Sequence, residues 1–297
     1  MKLIACQPSG LKRARRVSPM TVEAFLHQAR GRLAPFSETA SLDAQVLLAH
    51  VLEHTRTWLL AHTDEPITEM QAEAAEQLLR RREAGEPLPY LLGHWEFYGL
   101  DFTVTRDVLI PRPETELLVE QALAWLEANP ERRQAADVGT GSGCIAVSLA
   151  TLVPDLQVLA TDISEAALEV ARVNATRHEA SGRITFLTAD LLPTDAGPFD
   201  LICANLPYIP SETLHGLDVY RHEPVLALDG GVEGLEPIGR MIRIAPQYIK
   251  PGGALMVEIE AGQGEKVAEL ARTVFPEGEV EVMKDLAGRD RLVVIKI

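Results

Sequence analysis

The sequence has few cysteines, no long apolar run and a shortage of basic residues, and each deficit excludes a class of protein. Its three cysteines, Cys6, Cys144 and Cys203, form no Cys-x-x-Cys pair, so we expect a reducing, cytoplasmic compartment and no disulfide framework. No apolar run approaches the roughly 20 residues of a membrane-spanning helix, and we expect no membrane association. The formal net charge of -15 argues against direct binding of duplex DNA and leaves room for a basic protein partner.

Composition and hydrophobic spacing divide the 297 residues into four segments. Residues 1–20 are predicted to form a disordered basic tail, unless translation starts at Met20. Residues 21–85 show only helical periodicity and predict a small helical domain. Residues 86–113 are rich in proline and contain the strand-like segments "HWEFYG" and "DFTVT", which predict a β-hairpin linker.

Strands and helices alternate over residues 114–297, the fourth segment. Strand-like runs such as "QAADVG", "LQVLATD" and "FDLICAN" are separated by helical runs. This order predicts an α/β fold with a parallel sheet and helices on both faces. We expect the last two strands to add an antiparallel edge.

A glycine-rich turn follows the first strand of this region. The residues are Gly139, Thr140, Gly141, Ser142 and Gly143. The spacing departs from the dinucleotide fingerprint, and no Lys-Ser or Lys-Thr pair follows to make a phosphate-binding loop. The turn therefore suits a nucleoside ligand without a pyrophosphate, although a tight turn in any α/β fold is the alternative.

Two acidic residues end the next two strands, on the expected ligand-binding edge of the sheet. Asp162 lies about 20 residues beyond the glycines, where a carboxylate accepts hydrogen bonds from ribose hydroxyls. A helix cap is the alternative for this residue. Asp190 is positioned to meet the base, or it belongs to a plain surface loop.

The segment "NLPY" ends the fourth strand on the same edge. Pro207 has no amide proton and cannot extend the sheet, so Asn205, Leu206, Pro207 and Tyr208 are predicted to form a rigid turn. A proline-aromatic turn of this kind has a structural role in many proteins. Its proximity to the glycine turn is what favours a functional site.

The segment "HVLEH" fits a pattern of zinc peptidases, with His50 and His54 on one helix face. The pattern is short and no third ligand is evident. We therefore expect no metal site.

With these motifs together, the region resembles the class I S-adenosylmethionine-dependent methyltransferases. The resemblance implies a Rossmann-like seven-stranded sheet and S-adenosyl-L-methionine as the cofactor. It implies that the glycine turn holds the methionine moiety, that Asp162 holds the ribose, and that Asp190 and Leu191 lie near the adenine. "NLPY" is similar to the motif of enzymes that methylate planar nitrogens, although most of those have proline where this sequence has Leu206. Because rRNA adenine dimethylases carry a similar form, an adenine N6 methyltransferase acting on nucleic acid is the alternative.

Further segments resemble the bacterial peptide chain release factor glutamine methyltransferases, from about Met20 to the end. They include "RTWLLAH", "DVLIPRPETELLVE", "HEPVLALDGGVEGL" and "DLAGRDRLVVIKI". The resemblance implies methylation of the glutamine side chain in the Gly-Gly-Gln loop of release factors. Because residues 21–85 form a separate helical unit and every chemical motif lies downstream of it, we expect this unit to recognise the release factor. A nucleoside-binding regulator without catalysis is the remaining alternative, disfavoured by the intact "NLPY".

The chemistry that the family performs suggests a role for each residue of "NLPY". Asn205 accepts one hydrogen bond from the substrate amide and also borders the cofactor. A backbone carbonyl of Leu206 or Pro207 accepts the second hydrogen bond, and Tyr208 stacks on the flat amide. Asn205, Pro207 and Tyr208 are thus the predicted catalytic residues, and orientation is the main source of rate enhancement.

Overall fold

The computed structural model describes residues 20–297. The predicted basic tail therefore lies outside the described residues, apart from Met20. The chain divides between Glu86 and Pro87 into two compact units. The limits predicted above for the individual domains stay predictions.

Residues 20–86 of the first unit form four helices. Their bounds are α1 Val22–Leu33, α2 Ala40–Leu52, α3 Arg56–Ala61 and α4 Glu69–Glu83. Three of them begin at a threonine, Thr21, Thr55 or Thr68, whose hydroxyl accepts a hydrogen bond from a backbone N–H of the first turn. The apolar faces form one core, which includes Phe25, Leu33, Leu48, Leu59 and Leu79.

The second unit opens with a short helix and a β-hairpin. The bounds are α5 Leu88–Leu92, β1 His94–Phe97 and β2 Leu100–Thr103, and the two strands are antiparallel. Tyr98 and Gly99 between them have φ values of 51° and 74°, as expected for a tight turn with two left-handed residues. Phe97 and Phe102 are buried in the core of this second unit, so the hairpin belongs to it.

A seven-stranded sheet with the order β5-β4-β3-β6-β7-β9-β8 forms the centre of the second unit. The strands are β3 Gln134–Val138, β4 Gln157–Asp162, β5 Ile184–Thr188, β6 Phe199–Ala204, β7 Ile249–Glu258, β8 Glu279–Lys284 and β9 Asp290–Lys296. Strands β3 to β7 are parallel, and β9 is antiparallel to both β7 and β8. The predicted antiparallel addition is present, but the last strand inserts between its two predecessors, and only β9 runs against the parallel set.

Helices cover both faces of this sheet. Their bounds are α6 Glu116–Ala128, α7 Cys144–Leu152, α8 Glu165–Arg177, α9 Ser211–Leu214, α10 Glu236–Ile244 and α11 Gly264–Val274. Residues of β6 alternate between two cores: Leu201 and Cys203 join the one beneath α6 and α7, while Ile202 and Ala204 join the one beneath α10 and α11. Burial on both faces explains the unbroken apolar run of this strand.

The carboxyl edge of the sheet is the edge at which the parallel strands end. Val138, Asp162, Ala204 and Glu258 are the last residues of β3, β4, β6 and β7. Because these strands are parallel neighbours, their last residues meet at one edge. The predicted glycine turn and "NLPY" therefore follow adjacent strands, β3 and β6.

Candidate active site

A cavity of about 250 Å³ lies at the carboxyl edge of the sheet. It brings together nearly all the residues that the sequence predicted for the cofactor. Lining it are Gly139, Thr140, Gly141, Ser142, Asp162, Asp190, Leu191, Asn205, Leu206 and Pro207. Gly143 is absent from this lining, and Tyr208 borders a neighbouring cavity instead.

The three glycines of the turn all have positive φ, at 74°, 54° and 80°, yet they serve different purposes. A Cβ on Gly139 would lie 2.9 Å from Cδ2 of Leu206, and one on Gly143 would lie 3.0 Å from Cβ of Ala171 in α8. These two glycines permit close packing of the protein against itself. A Cβ on Gly141 would meet nothing within 4 Å, so this glycine leaves open space at the cavity wall.

Asp137 lies buried beneath the glycine turn and holds its shape. Its Oδ2 accepts hydrogen bonds from the Thr140 hydroxyl at 2.6 Å and from the Ala146 backbone N–H at 3.1 Å. Its Oδ1 is buried with no hydrogen-bond partner among the described residues, and burial raises the pKa of this carboxyl to about 6. No role was predicted for Asp137, although an acidic residue near the end of a buried strand can be recognised in the sequence as a candidate functional residue.

Asp162 connects the glycine turn to the start of α8. Its Oδ2 accepts the N–H of Gly141 at 2.9 Å, and its Oδ1 accepts the N–H of Ser164 at 2.9 Å. Burial raises the pKa of this carboxyl, and those backbone hydrogen bonds partly oppose the shift. Each oxygen retains a lone pair, so the carboxylate can accept two further hydrogen bonds from a diol.

Asp190 and Leu191 form the next part of the wall. Oδ2 of Asp190 accepts a hydrogen bond from Arg240 at 2.6 Å, and both side chains are about half exposed. Leu191 adopts φ of 67°, and its carbonyl accepts the Thr161 hydroxyl at 2.7 Å. A left-handed leucine is strained by about 1–2 kcal/mol, and the hydrogen bond from Thr161 helps to hold it. Arg240 could not be predicted as a partner of Asp190, because it lies in helix α10, 50 residues further along the chain.

These features fit S-adenosylmethionine. The wall is open at Gly141, Asp162 presents acceptors for a diol, and Leu191 provides an apolar surface beside the carboxyl of Asp190. The buried Oδ1 of Asp137, without a partner among the described residues, adds a polar atom near the glycine turn.

Each residue of "NLPY" has a distinct environment. Nδ2 of Asn205 donates a hydrogen bond to the Thr115 hydroxyl at 3.0 Å. Leu206 is buried, and its side chain packs into the core beneath Gly139. Pro207 faces the larger cavity. The carbonyl of Tyr208 accepts Nε2 of Gln263 at 3.0 Å, which fixes the end of the turn.

A second cavity of about 90 Å³ adjoins the first. Asn205 borders both cavities, together with Leu109, Arg112 and Ala227, whereas Tyr208 borders only the smaller one. Most of its other lining residues are apolar, among them Leu109, Ile209, Val219 and Leu228. The Asn205 side chain therefore stands where the two spaces meet.

Arg112 and Glu223 form a largely buried ion pair beside these cavities. The Glu223 carboxylate also accepts the backbone N–H of Ile110 at 3.1 Å. This pair ties the loop after "NLPY" to the segment before α6. The two residues are 111 positions apart in the sequence, and they bind each other in the structure.

Comparison with known proteins identifies the family. Residues 24–93 match the family model "PrmC N-terminal domain", and residues 114–216 match "Methyltransferase small domain". A release factor glutamine methyltransferase of Moorella thermoacetica is 45% identical over 92% of this chain and 97% of its own length. The chain belongs to the release factor glutamine methyltransferase family. A member from Geobacter sulfurreducens is 41% identical over 92% of this chain and 95% of its own length.

Membership in the release factor glutamine methyltransferase family confirms the predicted enzyme class, the class I fold and S-adenosylmethionine as the cofactor. A solved structure supports the fold independently. The hMettl16 catalytic domain, in complex with the MAT2A 3'UTR hairpin 1, superposes with a TM-score of 0.55 at 16% identity, covering 84% of this chain and 90% of that one.

The described residues, 20–297, were also compared with the requirements of a metal site and of a membrane-spanning helix, and they meet neither. No group of three or more His, Cys, Asp and Glu side chains in this range could hold a metal ion. His54 of the "HVLEH" segment instead stacks on Trp58, with ring centroids 3.8 Å apart. Within the same range, every helix is too short or too polar to cross a membrane.

Proposed function

We propose that this chain transfers a methyl group from S-adenosylmethionine to the side-chain amide nitrogen, N5, of the glutamine in the Gly-Gly-Gln loop of peptide chain release factors, in the cytoplasm. Family membership supports the reaction, since relatives that match nearly the whole chain carry this activity in their names. The formal net charge of -15 suits a protein partner better than a nucleic acid.

The position of Asn205 is the observation that carries this proposal. Its side chain borders both the larger cavity, which suits the cofactor, and the smaller one beside Tyr208. A substrate side chain in the smaller cavity would thus meet Asn205 at the point of transfer. The predominantly apolar lining suits a short, uncharged group such as a carboxamide.

The chemical problem is that an amide nitrogen is a poor nucleophile, because its lone pair is delocalised into the carbonyl. Asn205 Oδ1 is proposed to accept one N–H of the substrate amide, and a carbonyl of Leu206 or Pro207 the other. No backbone hydrogen bond among the described residues is directed to either carbonyl. Tyr208 would pack its ring on the flat amide. Held in this way, the nitrogen is oriented without a strong base.

The cofactor roles follow from the wall described above. Gly139, Thr140, Gly141, Ser142 and Gly143 are proposed to hold the methionine moiety, with Gly143 acting through the packing of the turn. Asp162 would bind the ribose, and Asp190 with Leu191 would lie beside the adenine. When bound, S-adenosylmethionine supplies the electrophilic methyl group.

The helical domain, residues 21–85, is proposed to recognise the release factor. The motivation is that every residue proposed for chemistry lies in residues 114–297. Removal of residues 1–85 should then lower transfer to whole release factor much more than the affinity for the cofactor. Full-rate methylation of intact release factor by the shortened chain would contradict the recognition role.

Labelled S-adenosylmethionine tests the reaction. We expect label in a release factor with the Gly-Gly-Gln loop and none in a matched factor whose loop glutamine is replaced by alanine. DNA and RNA incubated in parallel should stay unlabelled. Label in nucleic acid but not in release factor would favour adenine methylation and overturn the proposal.

A further inference from the structure

The side-chain amide of Gln263 joins three segments of the chain beside the "NLPY" turn. Gln263 immediately precedes α11 and is only 7% exposed. Its Nε2 donates hydrogen bonds to the carbonyl of Tyr208 at 3.0 Å and to the carbonyl of Gly234 at 3.2 Å, and its Oε1 accepts the backbone N–H of Glu260 at 3.0 Å. One buried amide therefore holds together the end of "NLPY", the loop that contains Gly234 and the segment after β7.

These three partners select a single orientation of the amide. Nε2 donates to two carbonyls, and Oε1 faces an N–H donor. A reversed amide would place its oxygen against two carbonyl oxygens and its NH₂ group against an N–H, so no hydrogen bond could form. The carbonyls of Tyr208 and Gly234 accept no backbone hydrogen bond among the described residues. Gln263 therefore supplies the hydrogen bond that holds each of them.

Gly234 is the second residue that shapes this contact. Its φ is 73°, and a Cβ at this position would lie 2.2 Å from the carbonyl oxygen of Tyr208 and 3.0 Å from Nε2 of Gln263. The first distance is far shorter than van der Waals contact, and a backbone oxygen cannot yield as the end of a flexible side chain can. Only glycine lets this loop approach the end of "NLPY" so closely.

The side chain of Tyr208 has only a weak polar contact of its own. Its hydroxyl lies 3.4 Å from Oε1 of Glu258, which is a long and weak hydrogen bond. The carbonyl of Tyr208, in contrast, accepts the shorter hydrogen bond from Gln263. Because the ring borders the smaller cavity, the backbone anchor determines where the ring stands in the wall of that cavity.

We propose, on the basis of the function proposed above, that Gln263 and Gly234 are positioning residues that set the place of the Tyr208 ring against the substrate amide. Gln263 fixes the carbonyl of Tyr208, and the absence of a side chain on Gly234 lets the loop close against that carbonyl. Without this anchor the ring would shift. A misplacement of about 1 Å is enough to lower a rate that depends on orientation.

The two cavities separate this role from cofactor binding. Tyr208 borders only the smaller cavity, and neither Gln263 nor Gly234 is among the described residues that line the larger one. Loss of the anchor should therefore lower the transfer rate at saturating cofactor and leave the affinity for S-adenosylmethionine unchanged.

Single-turnover transfer to release factor, with saturating cofactor, tests the positioning role. Gln263→Met keeps the length of the side chain but removes both donors, and we expect the rate to fall by about 10-fold. Gly234→Ala introduces the Cβ that would meet the carbonyl of Tyr208 and should give a similar loss. The two variants disturb different atoms that share one partner, Tyr208.

A double-mutant cycle with Tyr208→Ala distinguishes positioning from a general loosening of the fold. If Gln263 acts through the ring, Gln263→Met should lower the rate by no more than about twofold once the ring is absent. Independent effects would instead multiply, and the double variant would then transfer about 10-fold more slowly than Tyr208→Ala alone. That result would overturn the positioning role.

Gly252→Ala is the matched control for the glycine variant. Gly252 lies in β7 and has φ of 72°, so alanine is strained there as it is at Gly234. The three atoms nearest to its Cβ would all belong to the guanidinium of Arg132, with Nη2 at 2.5 Å, and the rate per folded molecule should stay unchanged. Melting temperature, measured for each variant, shows whether it is folded. If Gln263→Met does not fold, Gly234→Ala in the same cycle decides.

The outcomes separate the positioning role from the function on which it rests. Absence of transfer by the unaltered chain would refute both. Normal transfer by the unaltered chain, together with Gln263→Met and Gly234→Ala rates no lower than that of Gly252→Ala, would refute the positioning role alone. A loss of cofactor affinity as large as the loss of rate would refute it as well.

Discussion

Buried carboxyl groups at the two edges of the central sheet differ in how fully the protein satisfies their hydrogen-bonding capacity. At the amino edge, Asp200 lies near the start of β6 and is buried. Its Oδ2 accepts the backbone N–H groups of Arg133 and Gln134 and the Lys250 ammonium, at 3.0 to 3.1 Å. Its Oδ1 pairs with Arg132 at 3.4 Å. Both of its oxygens are thus occupied by the protein.

At the carboxyl edge, Asp137 and Glu258 each keep one buried oxygen without a hydrogen-bond partner in the described range. Burial raises the pKa of these groups to about 6 and about 7. Asp162, on the same edge, accepts two backbone N–H groups and faces the cavity. The carboxylate at the amino edge is thus fully used by the protein, whereas the carboxyl edge retains hydrogen-bond acceptors that the protein does not use, as the cofactor site proposed above requires.

The largest effect should come from Asn205→Ala. Loss of one transition-state hydrogen bond typically lowers the rate by about 10²–10³-fold, and single-turnover transfer to release factor measures it. Asn129→Ala, which removes an amide from the end of α6 away from the cavities, is the control and should leave the rate unchanged. A near-normal rate in Asn205→Ala would show that the reacting amide is held elsewhere.

Asn205→Asp tests the same hydrogen bond with a variant that keeps an acceptor at position 205. It keeps an acceptor but adds a negative charge beside Thr115, and desolvating that charge is unfavourable. We expect a rate between those of Asn205→Ala and the unaltered chain.

Asp162→Ala should have the next largest effect, on cofactor affinity. A ribose would lose a charge-assisted acceptor, and Gly141 would lose the partner of its N–H, which together weaken binding by about 1.5–3 kcal/mol. Calorimetry with S-adenosylmethionine measures this change. Asp195→Ala removes an exposed carboxylate from a nearby loop and should leave the affinity unaltered. Equal affinities for the two variants would remove Asp162 from the site.

Asp200→Asn tests whether the buried carboxylate at the amino edge of the sheet stabilises the fold. The amide cannot pair with Lys250 and Arg132, both partly exposed, so the free energy of unfolding should fall by about 2 kcal/mol, between exposed and fully buried pairs. Denaturant titration measures this loss. The transfer rate per folded molecule should stay the same. A large drop in that rate would contradict a purely stabilising role for the carboxylate at the amino edge.

The smallest effect should come from Tyr208→Phe. The hydroxyl is 3.4 Å from Oε1 of Glu258, a long and weak hydrogen bond, so we expect the transfer rate to fall by no more than about threefold. Tyr208→Ala removes the ring and should cost about tenfold or more, if stacking contributes as aromatic contacts usually do. Equal rates for the two variants would contradict a contribution of the ring to transfer.

Most residues that line the larger cavity could be predicted from the sequence, because short local motifs mark them. Strands β3, β4 and β6 contain apolar residues, and each is followed by or ends at a short motif that is recognisable in the sequence: the glycine turn, Asp162 and "NLPY". Parallel pairing then brings these ends together. The hairpin was also predictable, since Tyr98 and Gly99 stand between two strand-like segments.

Contacts between distant segments could not be predicted in this way. Asn205 and Thr115 are 90 residues apart, and nothing in the segment "RPETE" reveals which side chain Thr115 meets. Asp190 and Arg240 are likewise joined across 50 residues. Glu258 did carry a signal, because a charged residue at the end of the buried run "GALMVEIE" repeats the logic of Asp162. The insertion of β9 between β7 and β8 depends on the packing of the whole edge.

Leu206 packs under Gly139, so the glycine turn and "NLPY" are in direct contact and neither can move without the other. The ideal Cβ position on Gly139 lies only 2.9 Å from Leu206 Cδ2, so the sizes of these two residues must be complementary. Proline at position 206 would have a different shape and would change how closely the two segments approach. A larger residue at position 139 would therefore need a smaller one at position 206, because altering either position alone would shift the two segments relative to each other.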